Sequence, residues 1–427
     1  MPPDSLQSSS GHTYSSTQTH AAPWLVGLCY LPFGFNTGFI STALPLLLTA
    51  RGVTLDRVAQ ITFVALLPSF SSFLITPAID SGIARKTWAL LLALVTALSI
   101  AAAIFLLQAP NLGTNQSALM AVLAVGSLAA QMYGSAMGGL IPSLVEERLQ
   151  GSVSGWLNTA YLSGAAIAGM AAIFAVQHWP PAAAAALLAA ILLAPALVLQ
   201  TLPSEDRTPR PASQMFQFGS LLREIAALLT TRQSLIGFLI FIVPSAAFAA
   251  QNLFSGLGRE YAATDSQVAW ITGVGVAIAC SAGALLGGWM CNRWDRRMLV
   301  VGPGVLSTAA SLGMAFGPRT WWVFLGGVLL YNVLAGINYA AVSAVAFDIM
   351  GINNPLAATQ YAMMMASCNV AIEFALWADG RGYHHGGAVT MLCTDAALSL
   401  VCGPILILVL LRYASRQRTQ IPAAASV

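Results

Sequence analysis

The sequence predicts an all-α membrane protein of twelve transmembrane helices in two six-helix halves. Three observations carry this expectation. The 427 residues are 57% hydrophobic and only 8% charged, with a mean hydropathy of +0.75, whereas a soluble chain carries about a quarter charged residues. Charge is confined almost entirely to the joints between twelve long apolar stretches. Those stretches fall into two groups of six on either side of one polar segment, 204–233.

A bilayer core of about 30 Å takes roughly 20 residues of helix. On that ruler the first six spans lie near 24–49, 58–79, 87–108, 117–142, 151–176 and 181–201. The second six lie near 234–256, 266–290, 298–316, 321–347, 356–378 and 387–411. Continuous apolar runs specify helices, because barrel strands would alternate every second residue. Pro32, Pro45, Pro68, Pro142, Pro244 and Pro404 fall inside spans, where a membrane bundle tolerates them as bends around a cavity.

The domain order is therefore a tail (1–22), a six-helix half (23–203), a linker (204–233), a second six-helix half (234–412) and a second tail (413–427). The first tail is rich in Ser, Thr and His and has no basic stretch before the first apolar run. It reads as disordered and not as a cleaved signal. In the linker, Leu221, Ile225 and Leu228 recur at helical spacing, which predicts an amphipathic helix on the membrane surface. Thirteen of the 18 Lys and Arg residues, among them Arg85, Arg148, Arg223, Arg293 and Arg412, fall on one side of the membrane. The other side holds five, Arg51, Arg57, Arg259, Arg319 and Arg381. The richer side is expected to be cytoplasmic, with both termini and the linker. The net charge of +3 thus reports topology, and no nucleic-acid partner is expected. Six cysteines lie in or at the ends of spans without C-x-x-C spacing, so packing is their expected role and no metal is expected.

An internal repeat stands out. Pro77-Ala78-Ile79-Asp80-Ser81-Gly82-Ile83-Ala84-Arg85-Lys86 follows the second span of the first half, and Gly288-Trp289-Met290-Cys291-Asn292-Arg293-Trp294-Asp295-Arg296-Arg297 follows the second span of the second half. Both run from a span through Asp or Asn into a paired-cation turn. This resembles the loop signature of the major facilitator superfamily, present once per half. The resemblance implies the major facilitator fold, with the acid capping a neighbouring helix end and the cations pairing with acids across the halves. The implied gate residues are Asp80, Arg85, Lys86, Arg293, Asp295 and Arg296. Thr42-Ala43-Leu44-Pro45-Leu46-Leu47-Leu48, Pro77-Ala78-Ile79-Asp80, Glu147-Arg148 and above all Ala358-Thr359-Gln360-Tyr361-Ala362 resemble the AmpG-type muropeptide permeases and their acetyl-CoA and siderophore transporter relatives. That branch implies proton symport across a bacterial inner membrane. It also typically carries an acid after the Gln of span four, where this chain has Met132 after Gln131.

In superfamily topology spans one, four, seven and ten line the central path, with two, five, eight and eleven beside them. Polar residues at membrane depth are costly unless they face a cavity or a partner, and here they concentrate on those spans. The expected solute-binding residues are Asn36, Gln131, Tyr133, Asn158, Gln251, Asn252, Asn332, Tyr339, Gln360, Tyr361 and Asn369. Asn332 and Tyr339, seven apart, share a helix face, as do Asn158 and Tyr161, three apart. Taken singly, each amide is as well explained by interhelical bonding that holds the bundle together. Taken as a set, they predict a wetted cavity. Spans three, six and nine carry little beyond Ser and Thr, as lipid-facing helices should. Amides and phenols suit a polar, mid-sized solute. No Lys or Arg lies in a span, which argues against a densely anionic one. Gly134-x-x-x-Gly138 and Gly283-x-x-x-Gly287 permit close helix contact, expected between the halves.

Two acids lie inside spans. Glu373 shares a face with Asn369 on span eleven, and Asp395 lies at similar depth on span twelve. Charge at that depth is costly, so both are candidates for proton coupling. Glu373 is preferred because its span faces the cavity, and Asp395 is expected to bond to a neighbouring helix. Asp379-Gly380-Arg381-Gly382-Tyr383-His384-His385 reads as the last external loop. The expected function is a proton-coupled secondary transporter, importing a muropeptide- or siderophore-type solute, with efflux by the same mechanism as the alternative. No cofactor is expected, and the partners are a small solute, protons and the lipid bilayer, with a monomer as the working unit. A membrane-embedded enzyme would gather His, Ser or paired acids at membrane depth, and no His falls within a span.

Overall fold

A computed structural model describes residues 20–110, 115–203, 223, 235, 239–244, 247–352 and 354–419, the side chains of 55 and 410–419 excepted. Most of the proposed linker helix and the tails lie outside the described residues. Among the described residues there is no β-strand, and ten helical stretches are long and apolar enough to cross a membrane. The first six spans are Pro23–Ala50, Asp56–Leu74, Arg85–Gln108, Gln116–Leu144, Glu147–His178 and Pro181–Thr201. Spans eight to ten are Asp265–Cys291, Arg296–Phe316 and Trp321–Met350. Spans eleven and twelve form one helical stretch, Ala357–Thr419, broken by non-helical backbone at Gly386 and Gly387.

Prolines and glycines shape the spans around the interior. Span two is α-helical over Leu55–Leu66 and loosens after Pro68 into 3-10 turns at Ser72–Leu74 and Thr76–Ala78. A proline removes an amide donor and bends the helix at that point, here bringing Ser69, Phe70 and Ser72 to the interior. Span one carries a π-helical turn at Phe39–Ala43. Spans one and five touch backbone to backbone, since a Cβ on Gly34 or Gly38 would meet the main chain of Tyr161 or Ala165.

Span seven departs from the expected continuous helix. Leu239–Ile242 is helical, the chain bends at Val243 and Pro244, and Phe248 takes left-handed backbone with φ 51°. A 3-10 turn follows at Ala249–Asn252, then one helical turn at Phe254–Leu257. Left-handed backbone is costly for a side chain with a Cβ. Here the Phe248 ring is held by edge contacts with Tyr331 and Tyr339, at 5.2 and 6.3 Å between centroids.

The end of span eleven is a second difference. Residues 379–385 continue the helix instead of forming a loop, and Asp379 is fully buried. The reversal falls at Gly387, whose φ of 66° suits glycine. The glycine pairs also divide differently from expectation. Gly283 and Gly287 pack on Val333 and Ile337 of span ten, within their own half, and Gly134 packs on Phe33. The close crossings between halves are made by Gly138 and Gly139 against Tyr361 and Ala358, and by Gly151 and Gly155 against Ala284 and Gly288.

Candidate functional site

A cavity of about 480 Å³ lies between the two halves, within the range of small-molecule sites. Its wall comes from spans one, two, four and five and from seven, eight, ten and eleven, with Val300 of span nine added. Among the described residues, spans three, six and twelve contribute nothing to it. Of the expected binding residues, Gln131, Asn158, Gln251, Tyr339, Tyr361 and Asn369 stand in the wall. Gln131 donates to the Ser69 hydroxyl at 3.0 Å, and Asn369 donates to the Ser69 carbonyl at 3.2 Å across the halves. Asn158 donates to the Tyr339 carbonyl at 3.2 Å and to the Ser343 hydroxyl at 3.1 Å, also across the halves. Gln251 donates to the Tyr339 hydroxyl. The Tyr30 and Tyr361 hydroxyls stand 3.2 Å apart. Glu373 is exposed and stands in the wall, where it is the one charged side chain among the described residues.

The other five expected residues are absent from the wall. Asn36 donates to Ser127 at 3.3 Å, joining spans one and four. Tyr133 donates to the Cys29 carbonyl. Asn252 and Asn332 donate to the carbonyls of Ala249 and Val328 on their own segments. Gln360 accepts from Asn354 at 2.7 Å below the cavity. Asn36 and Tyr133 thus make the interhelical bonds that single amides and phenols readily form, whereas these bonds of Asn252, Asn332 and Gln360 are local ones. The wall also contains Tyr30, Phe33, Ser69 and Ser343. Tyr30 and Phe33 could have been found from their helical phase with Thr37, but Ser69 depends on the Pro68 bend.

Below the cavity the halves are tied together. Asp80 and Arg85 form a buried ion pair at 2.7 Å. Asp80 Oδ2 also accepts from the Thr359 amide at 2.9 Å and its hydroxyl at 2.7 Å, and Oδ1 accepts from the Ala358 amide at 3.4 Å. A carboxylate here satisfies free amides at the start of span eleven and complements its dipole. Arg85 donates onward to the carbonyls of Asn354 at 2.9 Å and Gly139 at 3.3 Å. The second half repeats the device. Asn292 accepts from the Ser152 amide at 3.3 Å and donates to its hydroxyl at 2.6 Å, at the start of span five. Arg296 pairs with Asp348 and donates to the Glu147 carbonyl at 3.1 Å. Asp80 corresponds to Asn292, Thr359 to Ser152, and Arg85 to Arg296.

The resemblance implies an acid capping a neighbouring helix end; the helix end that Asp80 caps lies in the other half, and the cations pair differently. Arg85 and Arg296 find acids within their own halves, and among the described residues they reach the other half through backbone carbonyls. Lys86 donates to the Gln200 and Leu202 carbonyls at the end of span six. Arg293 stacks on Trp289 at 4.2 Å, and Asp295 caps span nine by accepting from the Arg297 amide at 2.8 Å. Among the described residues, these last three make no tie between halves. The hydrogen bonds that join the halves among the described residues run from the level of Ser69 and Asn369 to the Asp80 end.

This architecture recurs among solved transporters. The human organic anion transporter MFSD10 aligns with a TM-score of 0.66 at 16% identity, over 90% of this chain and 98% of that one. A bacterial homologue of the iron transporter ferroportin in an outward-facing state gives 0.68 at 14%, over 90% and 98%. The E. coli fucose:proton symporter FucP gives 0.64 at 17%, also over 90% and 98%. No protein-family model matches the chain. The protein is thus an all-α, multi-pass integral membrane protein with the major facilitator fold.

Proposed function

We propose that the protein is a secondary active transporter that carries a polar, mid-sized solute across the membrane together with protons. The observation that carries this reading is the pairing of an interfacial cavity with two pseudo-equivalent helix-capping ties that, among the described residues, stand at one end. A solute site between two repeats, reached alternately from each side as the repeats rock, is how secondary transporters work. The ties at Asp80 and Asn292 hold one end shut, and they are built from hydrogen bonds that can break and reform. The amide and phenol wall suits hydroxyl, amide and carbonyl groups, and the lack of a cation among its described residues disfavours a dense anion. The islands Pro77–Asp80 and Ala358–Ala362 support the AmpG-like branch, and with it import of a muropeptide- or siderophore-type solute. The test is uptake of labelled muropeptide and of a ferric siderophore into proteoliposomes with an imposed pH gradient. Uptake of neither, with the gradient intact, would sink the solute assignment. Absence of counterflow across a wider panel of sugars, peptides and amphiphiles would sink transport itself.

In this reading the Asp80 end is cytoplasmic, as the Lys and Arg distribution indicates. Thr320 and Trp294 are exposed at opposite ends of span nine and its flanks. A membrane-impermeant maleimide added outside cells should label Thr320→Cys and leave Trp294→Cys untouched, and the reverse pattern would invert the topology.

Glu373 and Asp395 are the proposed coupling acids. Glu373 is placed to exchange protons with cavity water. Asp395 sits behind the wall and accepts from Ser311 at 2.6 Å and Tyr331 at 2.9 Å. Glu373→Gln mimics the protonated form, so it should abolish uphill accumulation while downhill exchange continues. Accumulation that survives in this variant, with protons still carried, would leave Glu373 a wall residue only.

A further inference from the structure

Asp379 is the least explained polar group among the described residues. It is fully buried, and both of its carboxyl oxygens lack a hydrogen-bond partner. It lies eight residues before Gly387, and Asp395 lies eight residues after it, so the reversal at Gly386–Gly387 brings the two acids to one level of the hairpin. The arms are close there, since a Cβ on Gly382 would meet Thr394 Oγ1 and Met391 Cα. Asp395 is also buried, and its two oxygens accept from Ser311 of span nine and Tyr331 of span ten. The titratable groups facing Asp379 are Asp395 from span twelve and Tyr331 from span ten. Span nine offers Ser311 to the pair, and the described part of the break in span seven packs there with Phe248 and Ala249, nothing titratable. Among the described residues no cation pairs with either acid.

Two neighbouring carboxylates without a counter-ion, out of water, cannot both be charged at tolerable cost. The hydrogen bonds divide the roles. Asp395 receives two donors, which stabilise a carboxylate, and Asp379 receives none. We propose that Asp379 and Asp395 form a proton-binding site in the C-terminal half, separate from the solute cavity, with the proton on Asp379 and the negative charge on Asp395. Release breaks the Asp379 O–H bond and passes the proton to water, leaving two carboxylates. That becomes tolerable only when a rearrangement admits water. The element positioned to do so is the break in span seven. Phe248 packs on Tyr331, which donates to Asp395, and on Tyr339, whose hydroxyl accepts from Gln251 in the cavity wall. The Ala249 turn packs on Ala375, one helical turn from Asp379. The site would thus hold a proton besides the one that Glu373 exchanges with cavity water in the transport reading above, and only its use in transport rests on that reading, since its existence can be tested without any solute.

The test is infrared pH-difference spectroscopy on the full chain reconstituted in lipid, with no solute present. Wild type is expected to show at neutral pH a protonated-carboxyl stretch that shifts in D2O. The band should vanish in Asp379→Asn and persist in Glu373→Gln and Asp395→Asn. If Asp379→Asn does not fold, Asp379→Glu, which keeps the acid but moves it by one methylene, should shift the band. The proposal is overturned by a wild-type spectrum without such a band, by a band lost in Glu373→Gln and kept in Asp379→Asn, or by a band unmoved in Asp379→Glu. Loss of the band on adding sodium ions at fixed pH would also overturn it, assigning a metal-cation site in place of a proton site. Transport without the band would sink the pair alone, and the band without transport would sink the transport reading alone.

Discussion

Asp80→Asn should cost more than any other single change at the closed end, abolishing transport while solute still binds. Asp80 accepts from the Arg85 side chain and from the start of span eleven. Asparagine keeps one acceptor but removes the charge that balances an arginine side chain of which only 3% is exposed. Breaking a buried pair by neutralising one partner costs about 3–5 kcal/mol, and here that cost falls on the state in which this end is shut. The apparent melting temperature in detergent should drop, and a cysteine placed at Ser72, buried at the lower wall of the cavity, should become reachable from the Asp80 side. Lys86→Ala and Arg293→Ala are the controls. Lys86 bonds within its own half and Arg293 stacks on its own span, so both should transport near the wild-type level. Equal losses in all three variants would mean that the loops act through fold stability and not as a tie between halves.

The contrast among these residues shows what the sequence could and could not reveal. The repeated acid-to-cation turn was legible because the same spacing occurs twice, and both copies prove to be interhalf caps. The islands Pro77–Asp80 and Ala358–Ala362, far apart in the chain, are the two faces of one contact through Thr359. Which cation does what was not legible, because Arg85 and Arg296 point inward while Lys86 and Arg293 do not, and a positive loop looks the same in either case. The cavity was legible in its choice of spans and in six of its polar residues. Asn36, Tyr133 and Asn332 escaped that logic because a lone polar group at membrane depth can bond to a carbonyl or a neighbouring helix without facing water. Asp379 was misread for a different reason. A run of Gly, Arg and His beside it has the composition of a loop, and only the position of the reversal at Gly387 shows that the helix continues past it.

Substituting Gly288 should have the second-largest effect, with a direction set by the crossing of spans five and eight. A Cβ at Gly288 would meet the Gly151 carbonyl at 2.7 Å and Gly155 Cα at 2.9 Å. Both obstacles are backbone, so neither can swing aside as a side chain would. Overpacking of this kind costs about 1–3 kcal/mol when neighbours can shift, and backbone in two long helices shifts only if the helices part. The same crossing holds the Asn292 cap on Ser152, so parting the helices also removes that tie. Gly288→Val is therefore expected to populate the state open at the Asp80 end, to slow transport by at least tenfold, and to leave solute binding within a few-fold of wild type. The direct readout is Ser154→Cys, fully buried beside the crossing. It should react slowly with maleimide in the otherwise wild-type chain and rapidly when Gly288→Val is added. Gly302 has no described neighbour within 4 Å of where a Cβ would stand. It serves as the matched control, and Gly302→Ala should change neither labelling nor transport. Slow labelling in Gly288→Val, in protein that remains folded and monodisperse, would mean that spans five and eight stay together throughout the cycle. The rocking motion would then have to pivot about this crossing, which would become a fixed hinge in place of a contact that opens.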